Sequence, residues 1–341
     1  MNNLNYSQLY AKITKGLTPK TKDIFDRRFG VKTGKVETLE SIGTSMGITR
    51  ERVRQIEEVG FTHVRKNHQD VLDKVFAEFE QYFEQKGGFK KEDAVLTELG
   101  GLKNKAAVLF FLTLGEQFKR VCEKKDYAYF WSTIDEPEKK VKETLNSLAQ
   151  DLQKHANPLP KQEMMASFAL SHNLSNEALE SYLEVSKRIQ TNKEGKFGLI
   201  EWPEIRPRSV KDKAFLVFKK HQKPLHFREI TTLIDSLEIN QATKKTHPQT
   251  VHNELIKDPR FVLVGRGMYA LGEWGYVPGT IKDIISSVLK EKPTLAKEDI
   301  VKEVLSQRFV EKNTVLIKLN DKKYFQKDPE GKYFSVETQT A

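Results

Sequence analysis

The sequence predicts a mainly α-helical fold with small β-wings, in which an N-terminal helix-turn-helix is followed by an array of winged-helix units. Two observations lead to this prediction. Residues 38–57, TLESIGTSMGITRERVRQIE, have helical apolar periodicity on both sides of a glycine. Four later segments repeat a second pattern, in which an apolar residue is followed four positions on by an acid and then by another apolar residue.

The helix-turn-helix is predicted from local signals. Leu39, Ile42 and Met46 recur at helical spacing and give the first helix a buried stripe. Gly47 permits a tight turn because it has no Cβ to clash at positive φ. Thr49 is a good N-cap for the second helix, since its hydroxyl can accept a backbone N–H bond.

The second helix of this motif has a polar face formed by Arg50, Glu51, Arg54 and Gln55. Arginine and glutamine carry forked or paired hydrogen-bonding groups, which match guanine and adenine edges in the major groove. A second helix lying in that groove is the standard docking of a helix-turn-helix. We therefore expect this face to read double-stranded DNA.

Residues 14–66 resemble region 4 of the sigma-70 family of transcription initiation factors, which reads the promoter −35 element. The resemblance extends upstream of the turn, through DIFDRRFGV at residues 23–31. It implies contact with RNA polymerase as well as with DNA. It also implies base contacts from Arg50, Glu51, Arg54 and Gln55 and phosphate contacts from Arg28, Thr38 and Arg52.

Composition agrees with a nucleic-acid-binding N-terminus. The 341 residues carry a net charge of +10, and residues 1–66 hold 13 Lys and Arg against 7 Asp and Glu. Such a concentration of positive charge is the electrostatic footprint of a nucleic-acid binder. No run approaches 18 apolar residues, so we expect a cytoplasmic, nucleoid-associated protein and no membrane partner. The single cysteine, Cys122, is expected to be a small buried residue.

The repeated acids are Asp93, Glu163, Glu229 and Asp299, which are 70, 66 and 70 residues apart. Each follows an amphipathic helix and a glycine or proline break, and each segment ends in an aromatic hairpin pattern. This order of elements is that of a winged helix. We expect the acid in the first turn of the second helix, where its negative charge interacts favourably with the positive end of the helix dipole. After domain 1–66 we expect units at 68–135, 136–205, 206–278 and 279–338. A single helical domain over 68–205 is the alternative.

The third unit has the segments KPLHFREI at 223–230, TVHNEL at 250–255 and DPRFVLVGRGMYAL at 258–271. These resemble the HARE-HTH winged helix, which occurs in the delta subunit of RNA polymerase, in chromatin factors and in some restriction endonucleases. In this unit Arg266 lies on the predicted wing, where it could touch a phosphate.

Motifs for catalysis or metal binding are missing from the sequence. It contains no Walker loop, no H-E-x-x-H and no cysteine pair with metal spacing. We expect no enzyme activity, metal, cofactor or small-molecule substrate. The sequence favours a DNA-binding transcription factor that acts at promoters or on RNA polymerase. Two alternatives stay open: a protein-interaction scaffold of the transcription machinery, or the DNA-targeting component of a restriction or defence system.

Overall fold

The computed structural model describes residues 4–237 and 245–336. The chain divides into two compact bodies, an N-terminal body of residues 1–201 and a C-terminal body of residues 202–341. Helices dominate both bodies, and the strands form small antiparallel sheets. The fold is mainly α with small β-wings, as the sequence predicted.

The N-terminal body begins with four helices: α1 (Tyr6–Ile13), α2 (Pro19–Phe29), α3 (Leu39–Met46) and α4 (Arg50–Asn67). Local chemistry sets their ends. Thr18 caps α2 by accepting a bond from the backbone N–H of Thr21, and Gly30 ends the helix in the left-handed conformation. Helices α3 and α4 form the predicted helix-turn-helix.

Two winged-helix units follow in the same body. Winged-helix unit one contains α5 (Gln69–Gln85), β1 (Phe89–Lys91), α6 (Glu92–Gly100), α7 (Lys105–Leu114), β2 (Lys119–Val121) and β3 (Phe130–Ser132). Winged-helix unit two contains α8 (Pro137–His155), β4 (Leu159–Pro160), α9 (Lys161–Ser171), α10 (Asn176–Val185), β5 (Ile189–Thr191) and β6 (Lys196–Leu199). In each three-stranded sheet the last strand lies between the other two.

The C-terminal body contains the other two units. Winged-helix unit three contains α11 (Val210–His221), β7 (Leu225–His226), α12 (Phe227–Ser236), α13 (Pro248–Lys257), β8 (Phe261–Gly265) and β9 (Met268–Leu271). Winged-helix unit four contains α14 (Ile281–Glu291), α15 (Lys297–Gln307), α16 (Lys312–Leu319), β10 (Phe325–Lys327) and β11 (Tyr333–Ser335). A single bridge from Leu295 to Tyr333 replaces the first strand of its sheet.

The repeated sequence pattern marks the same place in all four units. Its first apolar residue pairs with the last strand, as Leu225 pairs with Tyr269 and Leu295 with Tyr333. Its acid lies in the first turn of the second helix, as at Glu229. Residues 68–205 contain two separate three-stranded sheets, one in each predicted unit, and the division of these residues into two domains stays a prediction. The five domain boundaries stay predictions.

An aromatic cluster joins the helix-turn-helix to winged-helix unit one. The ring of Phe110, on α7, is fully buried and lies with its centroid 4.9–5.9 Å from the rings of Tyr10, Phe25, Phe29 and Phe61. One hydrophobic core therefore contains residues from both sides of residue 66. The third helix of this unit is a packing element of the N-terminal body.

The expectation for Cys122 was wrong, because its side chain is exposed. It directly follows Val121, the last residue of β2, whose side chain is buried. Successive side chains of a strand point to opposite faces, so the residue after a buried one faces outward.

We predict that Phe110→Ala destabilises the N-terminal body by about 3–5 kcal/mol, because it removes a fully buried ring and leaves a cavity. Thermal and denaturant unfolding followed by circular dichroism would measure the loss. Leu102→Ala is the control in the same unit, since Leu102 is 92% exposed. Equal stability of the two variants would contradict the assigned role of the cluster.

Candidate nucleic-acid interface

The helix-turn-helix is held by a small apolar core of its own. Ile24 of α2, Ile42 of α3 and Val53 of α4 are fully buried and contact one another in one cluster. Leu39 and Met46, from the predicted stripe, pack against this cluster while partly exposed. The core fixes α3 and α4 relative to α2.

The turn between α3 and α4 depends on close backbone approach. Gly47 ends α3 with φ of 66°. At Gly43 a Cβ would lie 2.7 Å from the backbone oxygen of Ile48, so any side chain there would push the two helices apart. Thr49 then caps α4 by accepting a 3.2 Å hydrogen bond from the backbone N–H of Arg52.

The structure brings the predicted base-contacting residues together on the first two turns of α4. Arg50, Glu51, Arg54 and Gln55 are all exposed there. Arg54 binds Glu51 in a forked pair, with its Nη2 2.8 Å from Oε1 and its Nε 3.0 Å from Oε2. Arg52, a predicted phosphate contact, donates a 3.1 Å hydrogen bond to the Oε1 of Gln55.

The pair of Arg54 with Glu51 sets part of the charge of this exposed face of α4. The hydrogen bond from Arg54 lowers the pKa of Glu51, so this carboxyl is ionised at neutral pH. Both side chains are more than half exposed, and exposed ion pairs contribute little to stability. Arg54 can therefore exchange Glu51 for a base edge at small cost.

Arg28 has internal partners. Its Nη1 donates a 3.2 Å hydrogen bond to the backbone oxygen of Glu37, and its Nε lies 3.6 Å from the Oε1 of Glu57. The Glu57 side chain is only 12% exposed. Burial raises the pKa of Glu57, while the charge of Arg28 opposes that shift. A phosphate would compete with Glu57 for this guanidinium.

Thr38, the remaining predicted phosphate contact of this module, is exposed and caps α3. Its hydroxyl accepts a 3.1 Å hydrogen bond from the backbone N–H of Ser41. The hydroxyl hydrogen is still a donor that could reach a phosphate oxygen. Capping and phosphate contact are therefore compatible at this residue.

An ion pair that no sequence pattern indicates fastens the loop before α3. Arg27 binds Glu37 in a forked geometry, with Nη2 2.7 Å from Oε2 and Nε 3.0 Å from Oε1. This bond lowers the pKa of Glu37, which also accepts a bond from the hydroxyl of Ser41. No helical or strand periodicity links residues 27 and 37, so the pattern gave no signal for the pair.

Arg266 lies in the other body, exposed in the turn between β8 and β9. Gly265, Arg266 and Gly267 form the hairpin turn that the sequence predicted.

Residues 4–237 and 245–336 contain no group of three or more His, Cys, Asp or Glu side chains that could hold a metal ion. Within the same residues no helix is long and apolar enough to cross a membrane.

Family comparisons match two segments of the chain. Residues 15–66 match the sigma-70 region 4 family, and residues 208–274 match the HARE-HTH family, whose description includes a restriction endonuclease HTH domain. Both resemblances seen in the sequence are thereby confirmed. The matched families are DNA-binding helix-turn-helix domains, and neither is an enzyme family.

Curated relatives match the N-terminal segment. The RNA polymerase sigma factor sigB of Arabidopsis thaliana is 41% identical over 61 residues, which are 17% of this chain and 11% of that protein. SigA of Nostoc sp. is 39% identical over 62 residues, or 18% of this chain and 16% of the relative. SigA of Clostridium acetobutylicum is 39% identical over 67 residues, 18% of each chain. The chain therefore covers less than a fifth of these relatives.

We predict that Glu57→Gln strengthens binding to mixed-sequence duplex DNA more than Glu58→Gln does. Both changes remove one carboxylate from α4, but only Glu57 faces Arg28, whereas Glu58 lies 3.5 Å from Arg65. Release of Arg28 should steepen the salt dependence of binding by about one unit of slope. Fluorescence anisotropy across a salt series would measure both slopes. Identical gains would mean that Glu57 does not restrain Arg28.

Proposed function

We propose that this protein is a DNA-binding transcription factor that acts at promoters or on RNA polymerase. The observation that carries the proposal is the exposed face of α4, where Arg50, Glu51, Arg54 and Gln55 project from a capped helix fixed on its own core. In this proposal those four side chains contact base edges in the major groove, and Arg28, Thr38 and Arg52 contact phosphates.

The relatives support the polymerase part of the proposal. The curated proteins that match the N-terminal segment are RNA polymerase sigma factors. A segment of this kind in the present chain would bring the protein to the polymerase and to promoter DNA together. The rest of the chain, formed by the winged-helix units, would add further contacts. A nucleoid location follows from this role.

A scaffold of the transcription machinery is the second candidate, and one structural feature favours it. The third helix of winged-helix unit one, α7, is buried among aromatic rings, so this helix contacts the rest of the protein and not an external ligand. A protein built mainly for packing would bind partners through its remaining surfaces. The description of the HARE-HTH family also includes restriction endonucleases, which supports DNA targeting in a defence system as a further alternative.

We predict that Arg54→Ala or Gln55→Ala costs about 1–3 kcal/mol at a specific site and relaxes the preference at one or two base pairs. Arg28→Ala should weaken binding to all sequences alike, because a phosphate contact carries no sequence information. Selection from a randomised duplex library, followed by affinity measurements on the selected site, would separate the two effects. Uniform losses for all three variants would mean that α4 does not read bases.

A further inference from the structure

The four winged-helix units differ in whether their third helix is accessible. In unit one, α7 is buried in the shared core. In unit two, α10 packs on unit one: the hydroxyl of Ser181 donates a 2.9 Å bond to the backbone oxygen of Lys86, and Glu184 pairs with the buried Lys90 at 2.9 Å. Its polar side chains include Glu177, Glu180 and Glu184, which would repel a phosphate backbone.

Helices α13 and α16, in units three and four, instead expose amide and hydroxyl side chains at their starts and an isoleucine, Ile256 or Ile317, farther along. Gln249-Thr250-Val251 near the start of α13 corresponds to Asn313-Thr314-Val315 near the start of α16. In both helices the valine is fully buried, and the amide and the threonine are exposed. Helix α16 also carries Lys312 and Lys318 and has no acidic residue within its bounds.

A backbone contact places the wing of unit three beside the start of α16. Gly265, at the end of β8, forms a parallel bridge with Phe309, and the N–H of Phe309 donates to the backbone oxygen of Val264 at 2.6 Å. Lys312 follows Phe309 by three residues, a reach of roughly 10 Å at most. Arg266 directly follows Gly265. The two cations therefore come from different units, and each lies within three residues of this bridge.

The turn that carries Arg266 is also fixed on its other side. The backbone oxygen of Gly267 accepts a 3.0 Å bond from the N–H of Phe227. Gly267 has φ of 70°, and a Cβ there would lie 2.6 Å from the Nε2 of His226. The wing tip is thus held between α12 and the segment before α16, so its arginine is presented from a rigid turn.

Arg308 stabilises the junction between winged-helix units three and four. It is only 4% exposed, and its Nη2 donates to the backbone oxygens of Val277 and, at 3.0 Å, of Gly279. Within the described residues no carboxylate pairs with it, so its charge adds to the positive field of this junction. The linker between the units is therefore tied to the loop before α16.

Two exposed cations near the bridge lack an ion-pair partner. Arg266 and Lys312 form no ion pair with any residue in 4–237 or 245–336. Glu311, directly before α16, is the carboxylate nearest to Lys312 in sequence and is exposed. Unpaired cations beside exposed amide and hydroxyl groups are the composition that contacts phosphates and base edges.

We propose that the wing tip of unit three and helix α16 of unit four form one composite surface that binds duplex DNA. Arg266 and Lys312 contact phosphates, and Asn313 and Thr314 face the groove. The surface is distinct from α4 and lies partly in a segment that neither matched family covers. The inference rests on the proposed DNA-binding function, and it adds a second contact in the C-terminal body.

The test uses the full chain and a fluorescently labelled, mixed-sequence DNA duplex. Arg266→Ala and Lys312→Ala should each lower the salt slope of binding by about one unit, so that each variant loses roughly three- to fourfold less affinity between 50 and 200 mM salt than the wild type. Lys290→Ala removes a lysine from α14 in the same unit and is the matched control. It should leave the slope unchanged.

Arg54→Ala, measured in parallel on the same duplex and on a site selected by the wild type, keeps the two proposals separate. If only Arg54→Ala weakens DNA binding, the composite surface is refuted while the function of α4 stands. If only Arg266→Ala and Lys312→Ala lower the salt slope of binding, α4 does not read DNA and the composite surface stands. Junction variants that match Lys290→Ala, or tighter binding of an RNA duplex than of the DNA duplex, would overturn the inference.

Discussion

The packing of Phe110 against the rings of α1, α2 and α4 is the interaction on which the N-terminal body depends. Buried aromatic pairs contribute through their large apolar area and through edge-to-face geometry, and Phe110 forms near-perpendicular pairs with Tyr10 and Phe29. The same packing buries most of the apolar side chains of α7 in the shared core. A winged helix is thereby converted into a support for the helix-turn-helix, and the orientation of α4 is fixed by a core that it shares with α7.

Two arginines of the proposed DNA face, Arg54 and Arg28, are paired with carboxylates until a ligand displaces these partners. Glu51 holds Arg54, and Glu57 with the backbone of Glu37 holds Arg28. Such carboxylates lower non-specific attraction to phosphate while leaving the guanidinium forks available for exchange with a base edge. An arginine that must leave a carboxylate gains most where a guanine offers two acceptors in return. In this account the ion pairs favour selectivity over affinity.

Local signals were sufficient to predict much of the fold. The cap at Thr49, the turn at Gly47 and the repeat of strand residue and helix acid are short-range features, and the structure has them where the sequence placed them. Contacts across long sequence separations could not be predicted in this way. The packing of Phe110 on Phe25, the pair of Arg28 with Glu57 and the bridge from Gly265 to Phe309 follow from tertiary packing alone. Cys122 was misjudged because its type suggested burial, whereas its strand position exposes it.

The central claim is that α4 reads a DNA sequence at promoters. Sequencing of DNA crosslinked to the wild-type protein and to Arg54→Ala in cells, with RNA polymerase mapped in parallel, tests it most directly. The account predicts that wild-type fragments share a motif upstream of transcription start sites, that polymerase occupies the same regions, and that the motif disappears in the variant. Fragments without a shared motif, or a motif that persists unchanged in Arg54→Ala, would contradict it.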